Sequence, residues 1–310
     1  MRVLVTGGSG FLGSHVADAL TEHGHNVTIL DTKNSPYVND KQKMVLGNIL
    51  DQAHLNEVVS GMDVVYHFAG IADIDECAKR PVETATYNII GTVKLLEACR
   101  LANIKRFVFA SSAYVYSDSG LFYRSSKQAC ESFIENYYEL YGLEYTCLRY
   151  GSLYGERSDE RNSIYKLIKS ALMDGRITYN GTGEELREYI HARDAANISV
   201  KILEPAYANQ NITLTGTEKM CYKDLLEMIN EILGNKIKIE ILPSTRKAHY
   251  KLTPYNFSPR LGKKMTINPY IDIGQGLLIC MSELYDKIHQ ETQDKIDTQF
   301  DSNMEDGITE

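Results

Sequence analysis

The sequence predicts an α/β fold: a doubly wound parallel sheet with a smaller α/β lobe intertwined with it. Short β-branched runs alternate with helical patterns through the first 150 residues. Several of those runs are almost continuously apolar, as strands covered on both faces must be. After residue 150 the rhythm changes, and helices are separated by short strands.

In order, "RVLVT" (2–6), "NVTIL" (26–30), "KMVL" (43–46), "DVVYHFA" (63–69), "RFVFAS" (106–111) and "YTCLRY" (145–150) are expected as strands. Helices with one apolar stripe are expected near 11–23, 51–60, 81–103 and 122–141. The second part predicts helices near 162–174, 194–203 and 222–233, separated by strands at 177–179, 211–214 and 237–241. Arg193–Leu203 is a candidate to return and pack on the first sheet. The expected division is therefore 1–152 with about 190–215 as one domain, and 153–189 with 216–291 as the smaller lobe. The stretch 292–310 is rich in acids and poor in apolar residues, so a disordered tail is expected there.

Composition narrows the function classes. The 310 residues are 43% hydrophobic and 24% charged, with a net charge of −8. The tail carries six acids against one lysine, which leaves a body near −3. A body this close to neutral argues against nucleic acid as the main partner. No apolar run approaches the roughly 18–20 residues that span a bilayer, and no signal peptide pattern opens the chain, so no membrane partner and a cytoplasmic location are expected. Six scattered cysteines without a C-x-x-C pair are expected as reduced core thiols, with no metal site.

The first specific signal is "VLVTGGSGFLG". Gly8, Gly10 and Gly13 form G-x-G-x-x-G, and Gly7, Gly10 and Gly13 form G-x-x-G-x-x-G. The triplet follows a strand and opens a helix, the context that makes it a dinucleotide turn. Glycines there let the backbone approach a pyrophosphate, whose charge then faces the helix N-terminus at Phe11 and Leu12. Asp31 ends the next strand, 18 residues after Gly13, where a carboxylate accepts from ribose hydroxyls. It also favours NAD over NADP, with Lys33 nearby to blur the preference.

The second signal is "SSAYVYSDSGLFYRSSK" (111–127), which holds Ser112, Tyr123 and Lys127. Tyr123 and Lys127 are one helical turn apart on one face. A free tyrosine, with a pKa of about 10, is a poor base at neutral pH. A lysine ammonium nearby favours the phenolate, and Ser112 at a strand's C-terminal edge is placed to bond a reacting hydroxyl. The plainer reading of Y-x-x-x-K alone is a solvated helix face. Tyr114 and Tyr116 are rival tyrosines, but no lysine follows either at helical spacing.

Taken together, "TGGSGFLG", "GNILD" (47–51), "HFAG" (67–70), "YNIIGTVKLLEAC" (87–99), "SSAYVY", "YRSSK", "LRYGSLYGER" and "NGTGEELREYIHARD" resemble, in order, the extended short-chain dehydrogenase/reductase family. The likeness is to its NAD-dependent nucleotide-sugar epimerase/dehydratase branch and runs from residue 1 to about residue 235. It implies a Rossmann-type domain holding NAD and a nucleotide-diphosphate sugar in the cleft. By position it places Asn48 and Ile49 at the adenine and Phe68, Ala69 and Gly70 along the pyrophosphate and ribose. Tyr123 and Lys127 would touch both cofactor and chemistry, and Ser112 and Tyr123 the substrate. Arg187 would contact the nucleotide diphosphate, against the plainer reading of an ion pair with Glu184 or Glu188. Arg246 and Arg260 are weaker candidates for that task. His67, ending an apolar strand, is expected as a satisfied core histidine.

Two departures narrow the expected reaction. Sugar 4,6-dehydratases of the branch carry an Asp–Glu pair after the serine or threonine, where this chain has Ala113 and Tyr114, so dehydration is disfavoured. Only ten residues separate Ser112 from Tyr123, fewer than is usual in the family, which reshapes the sugar end of the pocket. The expectation is hydride transfer at sugar C4, by a 4-epimerase or 4-dehydrogenase acting as a homodimer. Its helices near 81–103 and 122–141 would pair, with Phe133 and Tyr137 contributing. The rival is a non-catalytic dinucleotide-binding or redox-sensing module of the same fold.

Overall fold

The structure is a computed structural model that describes residues 1–243, 263–265 and 271–305. Its first part runs β1 (Arg2–Thr6), α1 (Phe11–Glu22), β2 (Asn26–Asp31), β3 (Gln42–Leu46), α2 (Gln52–Val59) and β4 (Val64–His67). Then come α3 (Ile74–Lys79), α4 (Pro81–Thr84), a π-helical turn (Ala85–Ile90), α5 (Gly91–Leu101) and β5 (Arg106–Ser112). A 3₁₀ turn (Ala113–Tyr116), α6 (Leu121–Tyr141) and β6 (Tyr145–Tyr150) complete it. The second part holds β7 (Ser152–Tyr154), α7 (Ser163–Asp174), β8 (Arg176–Asn180), β9 (Leu186–Arg187), β10 (Tyr189–His191) and α8 (Ala192–Lys201). It ends with β11 (Gln210–Leu214), β12 (Met220–Cys221), α9 (Tyr222–Ile232), β13 (Lys238–Leu242), β14 (Lys263–Met265) and α10 (Ile273–Glu305).

Eight strands form one parallel sheet in the order β14-β11-β6-β5-β4-β1-β2-β3. Alternate residues of each strand feed opposite layers. Val3 and Val5 join Val16, Leu20, Ala195 and Ile198 under α1 and α8, while Leu4 joins Leu55, Leu95 and Ile134 under α2, α5 and α6. Each such fully buried Val, Leu or Ile side chain contributes roughly 1.5–3 kcal/mol of transfer free energy. Because α8 covers the same face as α1, the chain returns to the sheet after its first excursion. A third cluster, with Ile168, Ile177, Leu225, Ile229 and Leu277, forms the core of the smaller lobe. All six cysteines are free and five are buried, as expected of core thiols. Among the described residues no helix is long and apolar enough to cross a membrane.

The differences from the sequence expectation are local. The helix expected near 81–103 is divided into α4, the π turn and α5, and α3 precedes it unforeseen. The backbone of α10 is helical to Glu305, through most of the stretch whose composition predicts disorder. Once its packed first turns are formed, each further residue adds a backbone hydrogen bond at little nucleation cost.

Candidate active site

The sheet order reverses at β1, which lies between β2 and β4, and ligands of open α/β sheets bind outside the strand ends at such a point. There Phe68 N donates to Thr6 O at 2.9 Å, and Gly7 N donates to Leu30 O at 2.8 Å, so the end of β1 is held between β2 and β4. Gly7 is left-handed (φ +74°), and a Cβ on it would stand 2.5 Å from Ala69 N. A Cβ on Gly13 would stand 2.3 Å from Gly7 O. Gly10 caps α1 in an extended conformation with no side-chain cap. The first-turn N–H groups, those of Phe11, Leu12 and Gly13, have no intrahelical partner by helix geometry. This glycine cradle, with a helix N-terminus at its edge, fits a pyrophosphate-bearing dinucleotide.

Asp31 joins the cradle to the end of β2. Its Oδ2 accepts from Ser9 N at 3.0 Å, and its Oδ1 from Thr32 N at 2.7 Å. Ala69 and Gly70 continue beyond Phe68, whose ring packs against Tyr66 and Tyr150. Asn48 folds its carbonyl onto Leu50 N at 3.0 Å. Ile49 is buried against the start of α5, where a Cβ on Gly91 would meet its Cδ1 at 2.6 Å.

Ser112 is the last residue of β5, and Tyr123 and Lys127 stand on the first turns of α6. Lys127 is buried, and its Nζ donates to Ala110 O at 2.7 Å, 4.7 Å from the centre of the Phe109 ring and 5.8 Å from that of Tyr123. Burial lowers the Lys127 pKa, because a dry surround disfavours its charge. Tyr123 is half-buried and meets the Tyr114 ring edge-on at 6.2 Å. Ser112 Oγ accepts from Tyr114 N at 3.3 Å. The three residues thus converge at one strand end, with Tyr114 between Ser112 and Tyr123.

The short segment between them is tightly folded. Its 3₁₀ turn is held by Gln128 Nε2, which donates to Val115 O at 2.9 Å, and by Arg124 Nη1, which donates to Ser117 O at 2.8 Å. Two consecutive left-handed residues, Gly120 (φ +98°) and Leu121 (φ +46°), then turn the chain into α6. Leu121 has a Cβ and so costs about 1–2 kcal/mol in that region. A Cβ on Gly120 would meet Tyr114 Cδ1 at 2.7 Å.

The π turn reveals a residue that sequence reasoning missed. Asn88 is buried there; its Oδ1 accepts from Ile71 N at 2.7 Å, and its Nδ2 donates to Ile71 O and to Ser126 Oγ, both at 3.0 Å. It therefore ties the segment after β4 to α6, a common use of π-bulges near sites. Its only sequence signal is membership of "YNIIGT". His67 is a core histidine, as expected. Thr92 donates to Asn88 O at 2.5 Å and accepts from His67 Nε2 at 2.9 Å, which leaves Nδ1 to accept from Thr6 Oγ1 at 2.7 Å. Burial, with the Lys127 charge second, holds its pKa down at about 3.

Arg187 lies in the smaller lobe, buried on β9 with its guanidinium 5.6 Å above the Tyr222 ring and Nη1 donating to Leu186 O at 2.9 Å. Arg246 and Arg260 lie outside the described residues.

Comparison with known proteins places this geometry. The family model described as "NAD dependent epimerase/dehydratase family" matches residues 3–214. A putative UDP-glucose 4-epimerase of Methanocaldococcus jannaschii is 32% identical over 254 residues, covering 75% of this chain and 82% of the relative. The UDP-N-acetylglucosamine 4-epimerase of Methanobrevibacter ruminantium, solved in complex with UDP-N-acetylmuramic acid, superposes with a TM-score of 0.82 at 26% identity. That match covers 92% of this chain and 98% of the other. The UDP-glucuronic acid 4-epimerase of Bacillus cereus, solved with UDP-glucuronic acid and NAD, superposes with a TM-score of 0.81 at 25% identity, over 92% and 99% of the two chains. The glycine cradle and strands β2, β3, β4, β5, β6 and β11 of the large sheet fall within the matched residues, and the chain belongs to the NAD-dependent epimerase/dehydratase family.

Proposed function

We propose that the chain is a 4-epimerase of a nucleotide-diphosphate sugar, with Tyr123 as the base that takes the proton of the C4 hydroxyl. The observation that carries this reading is the buried Lys127 held beside the Tyr123 ring at the end of β5. A cation there stabilises the phenolate, so Tyr123 is the better base for its presence. Ser112 Oγ bonds the same sugar hydroxyl and orients it toward Tyr123. NAD, when bound in the cradle of Gly7, Gly10 and Gly13, supplies the two-electron acceptor for the C4 hydrogen. Asp31 holds the adenosine ribose and disfavours a 2′-phosphate, while Asn48, Ile49 and Phe68–Gly70 border the nucleotide. Arg187 binds the sugar nucleotide's diphosphate, a task its planar fork suits.

Epimerisation also requires the 4-keto sugar to rotate in the site, so that C4 takes the hydride back on its opposite face while Tyr123 returns the proton to the C4 oxygen. Dehydration needs a further acid–base pair, and Ala113 and Tyr114 do not offer one. The named relatives that are 4-epimerases support C4 over other positions. We further propose a homodimer formed by α5 and α6, where Phe133 is 41% exposed. Tyr137 contributes less, since its hydroxyl is engaged with Glu97 Oε2 at 3.2 Å.

The test is anaerobic incubation with UDP-glucose, UDP-N-acetylglucosamine and UDP-glucuronic acid, followed by NADH absorbance and by NMR of the sugar. Appearance of the C4 epimer supports the proposal. Bound NAD with neither NADH nor epimer from any of the three would favour the binding-module reading. For the dimer, a monomeric mass by light scattering at micromolar concentration counts against it.

A further inference from the structure

A charged pair lies buried beneath the proposed site, and the hydride chemistry makes no use of it. Glu131 and Arg149 side chains are each 1% exposed. Arg149 Nε donates to Oε1 at 3.0 Å and Nη2 to Oε2 at 2.7 Å, a two-pronged contact. Ser111 Oγ donates to the same Oε1 at 2.5 Å. Arg149 Nη1 donates to Tyr116 Oη, and the guanidinium lies 4.6 Å above the Tyr116 ring.

Burying two such charges carries a heavy desolvation cost, and an apolar pair of similar volume often stabilises a core as well. What the ionic pair adds is direction. Ser111 directly precedes Ser112 on β5. Glu131 stands one turn beyond Lys127 on α6. Arg149 faces Ser111 across the β5–β6 register. Tyr116 ends the 3₁₀ turn of the shortened segment. The elements that carry Ser112, Tyr123 and Lys127 therefore meet at one pair of charges.

The shortened segment needs such an anchor. Its ties to Arg124 and Gln128 come from α6, and its last turn stores the left-handed Leu121. Beside the Tyr114 N–Ser112 Oγ bond at the end of β5, Tyr116 ties it to β6 and β11, through Arg149 and through Thr213 Oγ1, 3.4 Å from its hydroxyl. We propose that Tyr116 is a positioning residue: by accepting from Arg149 it moors segment 113–120 to the buried pair, and so fixes Ser112 and Tyr123 against the sugar hydroxyl. The proposal rests on Tyr123 being the base.

The test is Tyr116→Phe, which keeps the ring over the guanidinium and removes the hydroxyl. Amide hydrogen exchange is followed over 113–123, together with NAD affinity and the kinetics of whichever of UDP-glucose, UDP-N-acetylglucosamine and UDP-glucuronic acid the native protein converts. Exchange over 113–123 is expected to rise about tenfold while β1 and β2 keep their protection and NAD affinity is unchanged. A misplacement of this kind costs about ten- to a hundredfold in kcat, with KM within about twofold. Native exchange over 113–123 overturns the proposal, whatever the kinetics. A lowered melting temperature with native kcat also overturns it, because the hydroxyl then only stabilises. Tyr123→Phe, measured in parallel, separates the two claims. A native rate in that variant removes the base, whereas raised exchange in Tyr116→Phe would still support the mooring.

Discussion

Lys127 reaches past Tyr123 to the backbone: its ammonium lies 5.8 Å from the Tyr123 ring centre while donating to Ala110 O at 2.7 Å. The carbonyl fixes the lysine, and α6 fixes the tyrosine one turn before it. The cation is thus positioned by the strand end and does not depend on substrate to order it.

Tyr123→Phe removes the ionisable oxygen and keeps the ring against Tyr114. Hydride transfer should fall by about 10²–10⁴, with NAD still bound. Lys127→Met should lower the rate and also loosen NAD, and Ser112→Ala should cost less than either. Single-turnover NADH formation against pH measures all three. A native rate in Tyr123→Phe would move the base elsewhere, with Tyr114 and Tyr116 next to examine.

Asp31→Ala deletes the carboxylate that spans Ser9 and Thr32. It should weaken NAD binding about tenfold or more, the scale of one lost charge-assisted contact, and narrow the preference against NADP. Calorimetry with both nucleotides is the measurement. Unchanged discrimination would show that Asp31 only braces the turn.

Gly120→Ala adds a Cβ at φ +98° and drives it into Tyr114. A loss of about 1–2 kcal/mol in stability is expected, together with a fall in kcat as Tyr114 pushes on Tyr123. NAD affinity should change less than kcat, because the atoms such a Cβ meets belong to Tyr114 and Arg124. Denaturant unfolding and steady-state kinetics test the two halves separately.

His67 makes stability depend on acid. Its folded pKa is about 3, against an ordinary 6.5, so between these values the unfolded chain binds a proton that the folded chain refuses. The contribution is complete above about pH 6.5 and is lost as pH falls toward 3, at about 1.4 kcal/mol per pH unit for one proton. His67→Gln retains a donor for Thr92 and an acceptor for Thr6 but does not titrate. Its stability should fall less steeply over that window in pH-dependent unfolding, and parallel curves would refute the assignment.

The sheet was legible because burial on both faces leaves continuous apolar runs such as "VVYHFA" and "RFVFA". The glycine cradle was legible because its spacing and its strand–helix context agree. α6 was legible through its apolar stripe, but the left-handed entry at Gly120 and Leu121 was not, since leucine gives no sign of positive φ. The π turn at Asn88 has no compositional signature, as i→i+5 bonding uses the same residues as an α-helix. Glu131 and Arg149 are 18 positions apart and meet only through the β5–β6 register and the facing of α6. Arg187 was picked out by resemblance, but its place over Tyr222 depends on the pairing of β9 with β12.

The return of α8 and β11 to the large sheet bears on how the protein can be cut and recombined. A fragment ending at Tyr150 would expose the edge of β6 that pairs with Ile212 and Leu214, and would uncover the α1 face that α8 closes. Such a truncation should aggregate rather than yield a free-standing nucleotide module. Exchanging sugar specificity with a relative by chimera therefore calls for separate inserts, one spanning 151–191 and one starting beyond Leu214 that leaves β14 in place on the sheet edge. A simple C-terminal swap would carry away part of the cofactor sheet.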